Sequence, residues 1–307
     1  MPRFGEGVYA VMPTPFDSKG AVDFDSVERL TRFLIARGVT GLLILGFLGE
    51  ASKLLGDERT QVIAHVIAAT DHRVPVIVGT SHPSALGTGA LSRAAASAGA
   101  QGVMISPPKV GHLNQRELTR FFEEVADALD ADIILQDHPA ATGVVLSCEE
   151  IAALIRAVPA IQHVKLEDPP TPRKVEELRA ATEESVLIFG GLGAVFLLEE
   201  LNRGAAGTMT GFAYPEILID IYKEHSSGDH ERAADMFYHY LPLIRYEAQD
   251  QIGLAVRKYL YRSRGAIADD RLRAPGLALD PSTVADLQSL LTRLRVSSLP
   301  FPDHVHA

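Results

Sequence analysis

Ala98-Gly99-Ala100-Gln101-Gly102, running on into Val103-Met104-Ile105-Ser106, reads as the end of a helix turning directly into a buried strand. The first glycine suits a left-handed cap on the helix, and the second lets the chain turn tightly into an apolar run. The pattern recurs at Arg37-Gly38-Val39-Thr40-Gly41 before Leu42-Leu43-Ile44-Leu45, and at Arg203-Gly204-Ala205-Ala206-Gly207 before Thr208-Met209-Thr210. One joint repeated at wide intervals means one repeated α-to-β connection. Between the joints, short apolar runs alternate with longer amphipathic stretches, as in a parallel sheet covered by helices.

Working outward, strands are predicted at Gly7–Met12, Gly41–Leu45, Pro75–Gly79, Gly102–Ile105, Asp132–Gln136, Ile161–Leu166, Val186–Gly190 and Gly207–Thr210. Helices fit between them at Asp25–Arg37, Gly56–Thr70, Ala85–Ala98, Gln115–Ala128, Cys148–Ala157, Pro172–Thr182, Leu192–Asn202 and Pro215–His225. Eight strand-helix units within residues 1–225 make an α/β protein of the (β/α)8 TIM barrel type, whose usual size is ~250 residues. A doubly wound open sheet is the alternative, but no Gly-x-Gly-x-x-Gly follows the first strand. From residue 226 to 307 the pattern is helical only, at His230–Tyr246, Ile252–Arg262 and Pro281–Leu294, a three-helix extension packed on the barrel. The tail Pro300–Ala307 is expected to be loosely ordered.

Composition narrows the ligand class. The 307 residues are 47% hydrophobic and 22% charged, enough for a large core. A net charge of -10 argues against nucleic acid or an anionic membrane as partner, since both need a basic face. Small molecules are the expected ligands. The single cysteine, Cys148, suits a reducing cytoplasm. No apolar run reaches the ~18 residues of a membrane span, and Met1 to Glu6 lacks a signal peptide's basic start and apolar centre.

Ile161 to Pro170, IQHVKLEDPP, carries a lone lysine inside a strand. With period two, Ile161, His163, Lys165 and Glu167 share one face, and Gln162, Val164 and Leu166 the other. A lysine there either reaches water at the strand end or becomes a neutral amine nucleophile. Chemistry in a barrel gathers at the carboxyl ends of the strands. That rule selects Pro13 to Phe16, Gly46 to Glu50, Thr80 to His82, Pro107 to His112, Gln136 to Pro139, Lys165 to Glu167, Gly190 to Leu192 and Thr210 to Ala213. Lys165 is the one lysine that a strand itself carries to this rim.

At Gly46-Phe47-Leu48-Gly49-Glu50, Gln136-Asp137-His138-Pro139 and Val164-Lys165 the sequence resembles the dihydrodipicolinate synthase and N-acetylneuraminate lyase family, over Tyr9 to Leu294. The resemblance implies a barrel with a helical carboxyl-terminal extension, a homo-oligomer (tetramer or dimer), and a Schiff base between Lys165 and a 2-keto acid substrate. It implies no cofactor and no metal; no His, Cys, Asp and Glu cluster has metal-ligand spacing, and an iminium already supplies an electron sink. The family's Gly-Thr-Thr-Gly-Glu loop, which holds the keto acid's carboxylate, is Gly46-Phe47-Leu48-Gly49-Glu50 here, with the amides kept and the hydroxyls gone. Candidate substrate contacts are therefore Gly46, Phe47, Leu48 and Gly49, with Pro13 and Gly190 from the rim and Met209 from the eighth strand.

The departures are informative. Gln136 stands where the synthases and lyases place a proton-shuttling tyrosine, and no tyrosine occurs between Tyr9 and Tyr214. Glutamine is no acid or base. The arginine that clamps the second substrate in true synthases is Ala141. The stretches LQDHPAATG, VKLEDPP, MISPP and LPLIRYEAQDQIGLAVRKYL look most like the 2-keto-3-deoxyarabonate dehydratase branch, in which a Gln-Asp pair replaces Tyr-Asn and a glutamate follows the lysine by two. Lys165, Glu167, Gln136 and Asp137 are accordingly the candidate catalytic residues, and His138 packs beside Pro139. The expected activity is dehydration or aldol cleavage of a 2-keto-3-deoxy sugar acid. Condensation of pyruvate with aspartate semialdehyde, and keto-acid binding without catalysis, are the alternatives.

Overall fold

The structure, a computed structural model, describes residues 2–110, 113–127 and 129–296. Among them are eight strands, β1 (Gly7–Val11), β2 (Gly41–Ile44), β3 (Val76–Gly79), β4 (Gly102–Ile105), β5 (Asp132–Asp137), β6 (Ile161–Leu166), β7 (Leu187–Gly190) and β8 (Gly207–Thr210). Each pairs in parallel with the next, and β8 returns to β1 with Tyr9 opposite Met209, so the sheet closes into a barrel. The helices are α1 (Phe24–Ala36), α2 (Gly56–Thr70), α3 (Ala85–Ser97), α4 (Gln115–Ala126), α5 (Pro139–Thr142), α6 (Cys148–Ala157), α7 (Thr171–Ala181), α8 (Leu197–Leu201), α9 (Pro215–Ser226), α10 (His230–Glu247), α11 (Gly253–Ser263) and α12 (Pro281–Arg293). Ala128 and the tail Pro300–Ala307, for which the sequence raised expectations, lie outside the described residues, as does His112.

Local chemistry sets the element ends. Asn114 caps α4 by accepting from the Glu117 amide at 3.0 Å, while the Glu117 carboxylate accepts from the Asn114 amide at 3.2 Å. Ser147 and Glu150 repeat this reciprocal cap on α6. The α-to-β joints carry their first glycines in the left-handed region, with φ of 86° at Gly38, 108° at Gly99 and 90° at Gly204. Their second glycines answer to the barrel interior: a Cβ on Gly41 would stand 2.4 Å from the Tyr9 ring.

Two cores result. Tyr9, Leu43, Ile77, Met104, Ile134, Phe189 and Met209 fill the barrel, and the opposite strand faces pack outward against helix faces such as Leu118, Phe122 and Val125 of α4. Alternation on β6 begins one residue late. Ile133 pairs with Ile161 but Ile134 with His163, which makes Gln162 the extra residue of a bulge and sends Ile161 into the outer core, away from His163 and Lys165.

The predicted helix Leu192–Asn202 is broken. Leu192, Gly193 and Ala194 all take positive φ, at 39°, 66° and 62°, and helical structure resumes only at Leu197. Ala248, at the end of α10, packs so closely on Gly193 that a Cβ there would lie 2.6 Å from its own. The broken turn after β7 thus packs against the extension, a contact that periodicity in residues 192–202 could not register. No helix among the described residues is long and apolar enough to cross a membrane.

Candidate active site

Lys165 sits on β6 one residue before the strand ends, beside Gln136 on β5 and Phe189 on β7. It does not snorkel to water, being 4% exposed. Its Nζ lies 3.0 Å from Oε2 of Glu167, in the wall of a cavity of about 430 Å³ at the carboxyl ends of the strands. Glu167 is fixed from two sides: its amide donates to the Asp137 carbonyl at 2.8 Å, and Gln136 Nε2 donates to the same Oε2 at 2.7 Å. Ser106, from the end of β4, donates to Gln136 Oε1 at 2.9 Å, which orients the glutamine amide with its nitrogen toward the carboxylate. Burial pushes Glu167 up, yet the charge of Lys165, the neighbouring His138 and the bond from Gln136 together hold it below the usual carboxylate range.

His138 Nδ1 stands 3.7 Å from Glu167 Oε2, beyond hydrogen-bond reach, and its ring meets the edge of Phe47 at 5.6 Å between centroids. Gly191 makes room for the carboxylate, since a Cβ there would fall 2.4 Å from Glu167 Cγ.

Across the barrel from β6, the chain after β2 makes a 3-10 turn at Phe47–Gly49, bracketed by Leu45 and Glu50 in the left-handed region. The first bond of this turn runs from Gly49 N to the Gly46 carbonyl, so the amides of Phe47 and Leu48 precede it and are spare donors at the cavity. Glu50 does not face the ligand space. It is buried against the extension, accepting from Lys258 Nζ at 2.7 Å, Lys53 Nζ at 2.9 Å and the Arg273 amide at 3.1 Å. Burial lowers Lys258 to about 8 despite the attraction of Glu50.

Of the residues selected from the sequence, Lys165, Glu167, Gln136, Gly46, Phe47, Leu48 and Met209 line this cavity together. Asp137 does not join them. It alternates with Gln136 and points out of the barrel, where Oδ2 meets Lys174 Nζ at 2.7 Å and Lys174 also holds Asp168. Gly49 lies beneath the turn, its carbonyl accepting from Thr14 at 2.6 Å; Pro13 is buried outside the lining; Gly190 faces Glu200. Sequence reading missed Ser106, the residue just before its rim selection at Pro107, and it gave no separate role to Gly191, although the rim range Gly190 to Leu192 contains it. It also missed Glu247, Gln249 and Arg257 as cavity residues, all from the extension, whereas Thr210, within the rim selection, does line the cavity. Arg257 falls within a stretch noted above, but helical periodicity could not aim it at β8.

Residues 5–294 match the Dihydrodipicolinate synthetase family. The chain belongs to that family. Its members are lyases, and this protein is one. The chain is 34% identical to an L-2-keto-3-deoxyarabonate dehydratase from Azospirillum brasilense, over 94% of each. It is 30% identical to a 4-hydroxy-tetrahydrodipicolinate synthase from Methanoculleus marisnigri, over 93% of this chain and 98% of that one. A crystal structure named as dihydrodipicolinate synthase from Rhodopseudomonas palustris superimposes with a TM-score of 0.90 at 35% identity, covering 95% of this chain and 99% of that one. Dihydrodipicolinate synthetase family relatives at like identity thus carry different activities, and the choice between them falls to the residues of the site.

Proposed function

We propose that this lyase dehydrates, or cleaves by retro-aldol chemistry, a 2-keto-3-deoxy sugar acid bound as a Schiff base on Lys165. The observation that carries the reading is the Lys165–Glu167–Gln136 constellation in a cavity whose lining contains no tyrosine. The 2-keto acid's carboxylate lies at the Phe47 and Leu48 amides, opposite the lysine. Glu167 takes the ammonium proton as the amine attacks C2 and returns it as the C2 oxygen leaves as water, and the resulting iminium acidifies C3. The regenerated carboxylate, adjacent to C3, removes that proton and passes it to the C4 hydroxyl, which departs as water while the Gln136 amide or a bound water positions it by hydrogen bonding. Asp137 keeps its partner Lys174 outside the barrel and serves the site through β5.

Condensation of pyruvate with aspartate semialdehyde finds less support. Its proton shuttle would need tyrosines that the cavity lining lacks, and Ala141, exposed on α5, offers no clamp for a second carboxylate. We place the enzyme in the cytoplasm as a homo-oligomer. The test is a side-by-side assay of the pure protein with 2-keto-3-deoxypentonates and hexonates, and with pyruvate plus aspartate semialdehyde. Consumption of a sugar acid alone is the expected result; turnover of the second pair alone would replace this reading with the synthase.

A further inference from the structure

The wall of the cavity formed by the extension contains a cation that the chemistry at Lys165 does not use. Arg257, on α11, is 3% exposed, and its Nε donates to Glu247 Oε1 at 2.6 Å. Glu247 also accepts from the Ala213 amide, at 3.0 and 3.1 Å to its two oxygens. Arg257 Nη1 is buried with no hydrogen-bond partner. The guanidinium lies against the chain just after β8, where a Cβ on Gly211 would stand 2.7 Å from Nη1. Arg257 and Thr210 both line the same cavity as Lys165. An unused guanidinium donor held this deep is costly unless a bound acceptor completes it.

The ring of strands says where that acceptor belongs. In a closed barrel in sequence order, β2 and β6 face each other and β8 lies a quarter-turn from each. On the reading above, C2 is at Lys165 on β6 and C1 at the turn after β2. The side toward β4 and β5 is already satisfied by the Ser106–Gln136–Glu167 chain. The free donor on the β8 side is left for the far end of the substrate. The cavity's charges favour a neutral group there: Glu167, Glu247 and Asp250 outnumber Lys165 and Arg257 before the substrate's own carboxylate is added.

We propose that Arg257 donates from Nη1 to the terminal hydroxyl of the sugar acid, and that this contact selects monocarboxylic 2-keto-3-deoxy acids over their dicarboxylic counterparts. The inference rests on the function proposed above, which it extends to the substrate's distal end. Arg257 is a binding residue; Glu247 is a positioning residue that holds its guanidinium.

The test is a cycle of two substrates and two enzymes. The substrates are 4,5-dihydroxy-2-oxopentanoate and 4-hydroxy-2-oxopentanoate, which lacks only the terminal hydroxyl; the enzymes are the wild type and Arg257→Met. Arg257→Met leaves Glu247 buried without its counter-ion, so the double variant Arg257→Met/Glu247→Gln, which removes both charges, is measured beside it. In the wild type, loss of the hydroxyl should lower kcat/KM by about 10- to 10²-fold, mostly through KM, as expected of a bond to a charged donor. In a variant that melts cooperatively the same deletion should cost only a few-fold. An equal cost in wild type and variants overturns the proposal, as does a wild type that prefers 4-hydroxy-2-oxopentanedioate, with a carboxylate in the terminal position. A wild type that neither consumes these acids nor forms a borohydride-reducible adduct with them defeats the functional reading itself, which is a different result from an equal cost.

Discussion

Glu167 brings Oε2 to 3.0 Å from the nitrogen of Lys165 and takes the Gln136 amide on that same oxygen at 2.7 Å. On the function proposed above, a carboxylate so placed relieves the ammonium of its proton and then stands beside C3 of the bound keto acid. Lys165 and Glu167 lie two residues apart on one face of the chain, and Gln136 is the direct neighbour of Lys165 in the β5–β6 register. On that reading Glu167, just past the end of β6, is the base, and Gln136 on β5 holds it in place.

Glu167→Gln should lower kcat on a 2-keto-3-deoxypentonate by about 10² to 10⁴, the usual worth of a positioned base. A borohydride-reducible adduct with pyruvate should still form on long incubation. Since Glu167 is held below the ordinary carboxylate range, and a base acts only when deprotonated, the acid limb of kcat/KM assigned to it should lie under the ordinary glutamate value of about 4.3. Turnover within a few-fold of wild type would remove Glu167 from the reaction.

Lys258→Met should destabilise the protein by about 3 to 5 kcal/mol, read from the denaturant midpoint, because Glu50 loses its most buried counter-ion. The double variant Lys258→Met/Glu50→Gln should recover part of that loss, as no unpaired charge remains inside. A single variant as stable as the wild type would show that the Glu50 network does not fasten the β2 turn to the extension.

His163 gives a dependence on pH. It stacks on Phe4 at 3.9 Å inside the barrel, and burial lowers it to about 4 although the Phe4 carbonyl at 3.2 Å opposes this. The unfolded chain takes up its proton near 6.5 and the folded chain near 4, so stability is full above 6.5 and drains away as pH falls to 4. Against a His163→Phe variant, the wild type should lose about 3 kcal/mol over that interval. Parallel profiles for the two proteins would contradict the assignment.

The family resemblance implies self-association. Light scattering at micromolar concentration should report a mass well above the 33.1 kDa of one chain, as for a dimer or tetramer. A particle of one chain's mass would end that expectation.

How far the sequence could be read follows from the range of the forces involved. The barrel was legible because each α-to-β joint is local: Gly38, Gly99 and Gly204 take their left-handed φ from the helix that they end. Lys165 was legible because alternation within one strand aims it inward, and Glu167 followed by the same rule. What sequence did not disclose depends on segments remote along the chain. The bulge at Gln162 arises in pairing with β5, the break at Leu192–Ala194 comes with a contact from Ala248, and Arg257 reaches the site only because α11 lies across the end of β8. Asp137 illustrates the limit within a motif, since its neighbour Gln136 takes the inward position and leaves it the outward one.

The most direct measurement is the site of covalent capture. The protein is incubated with a 2-keto-3-deoxypentonate and borohydride, digested, and mapped by mass. The account predicts one reduced adduct, on the peptide that contains Lys165, and none anywhere in Lys165→Ala. No adduct in the wild type, or an undiminished adduct in Lys165→Ala, would contradict it.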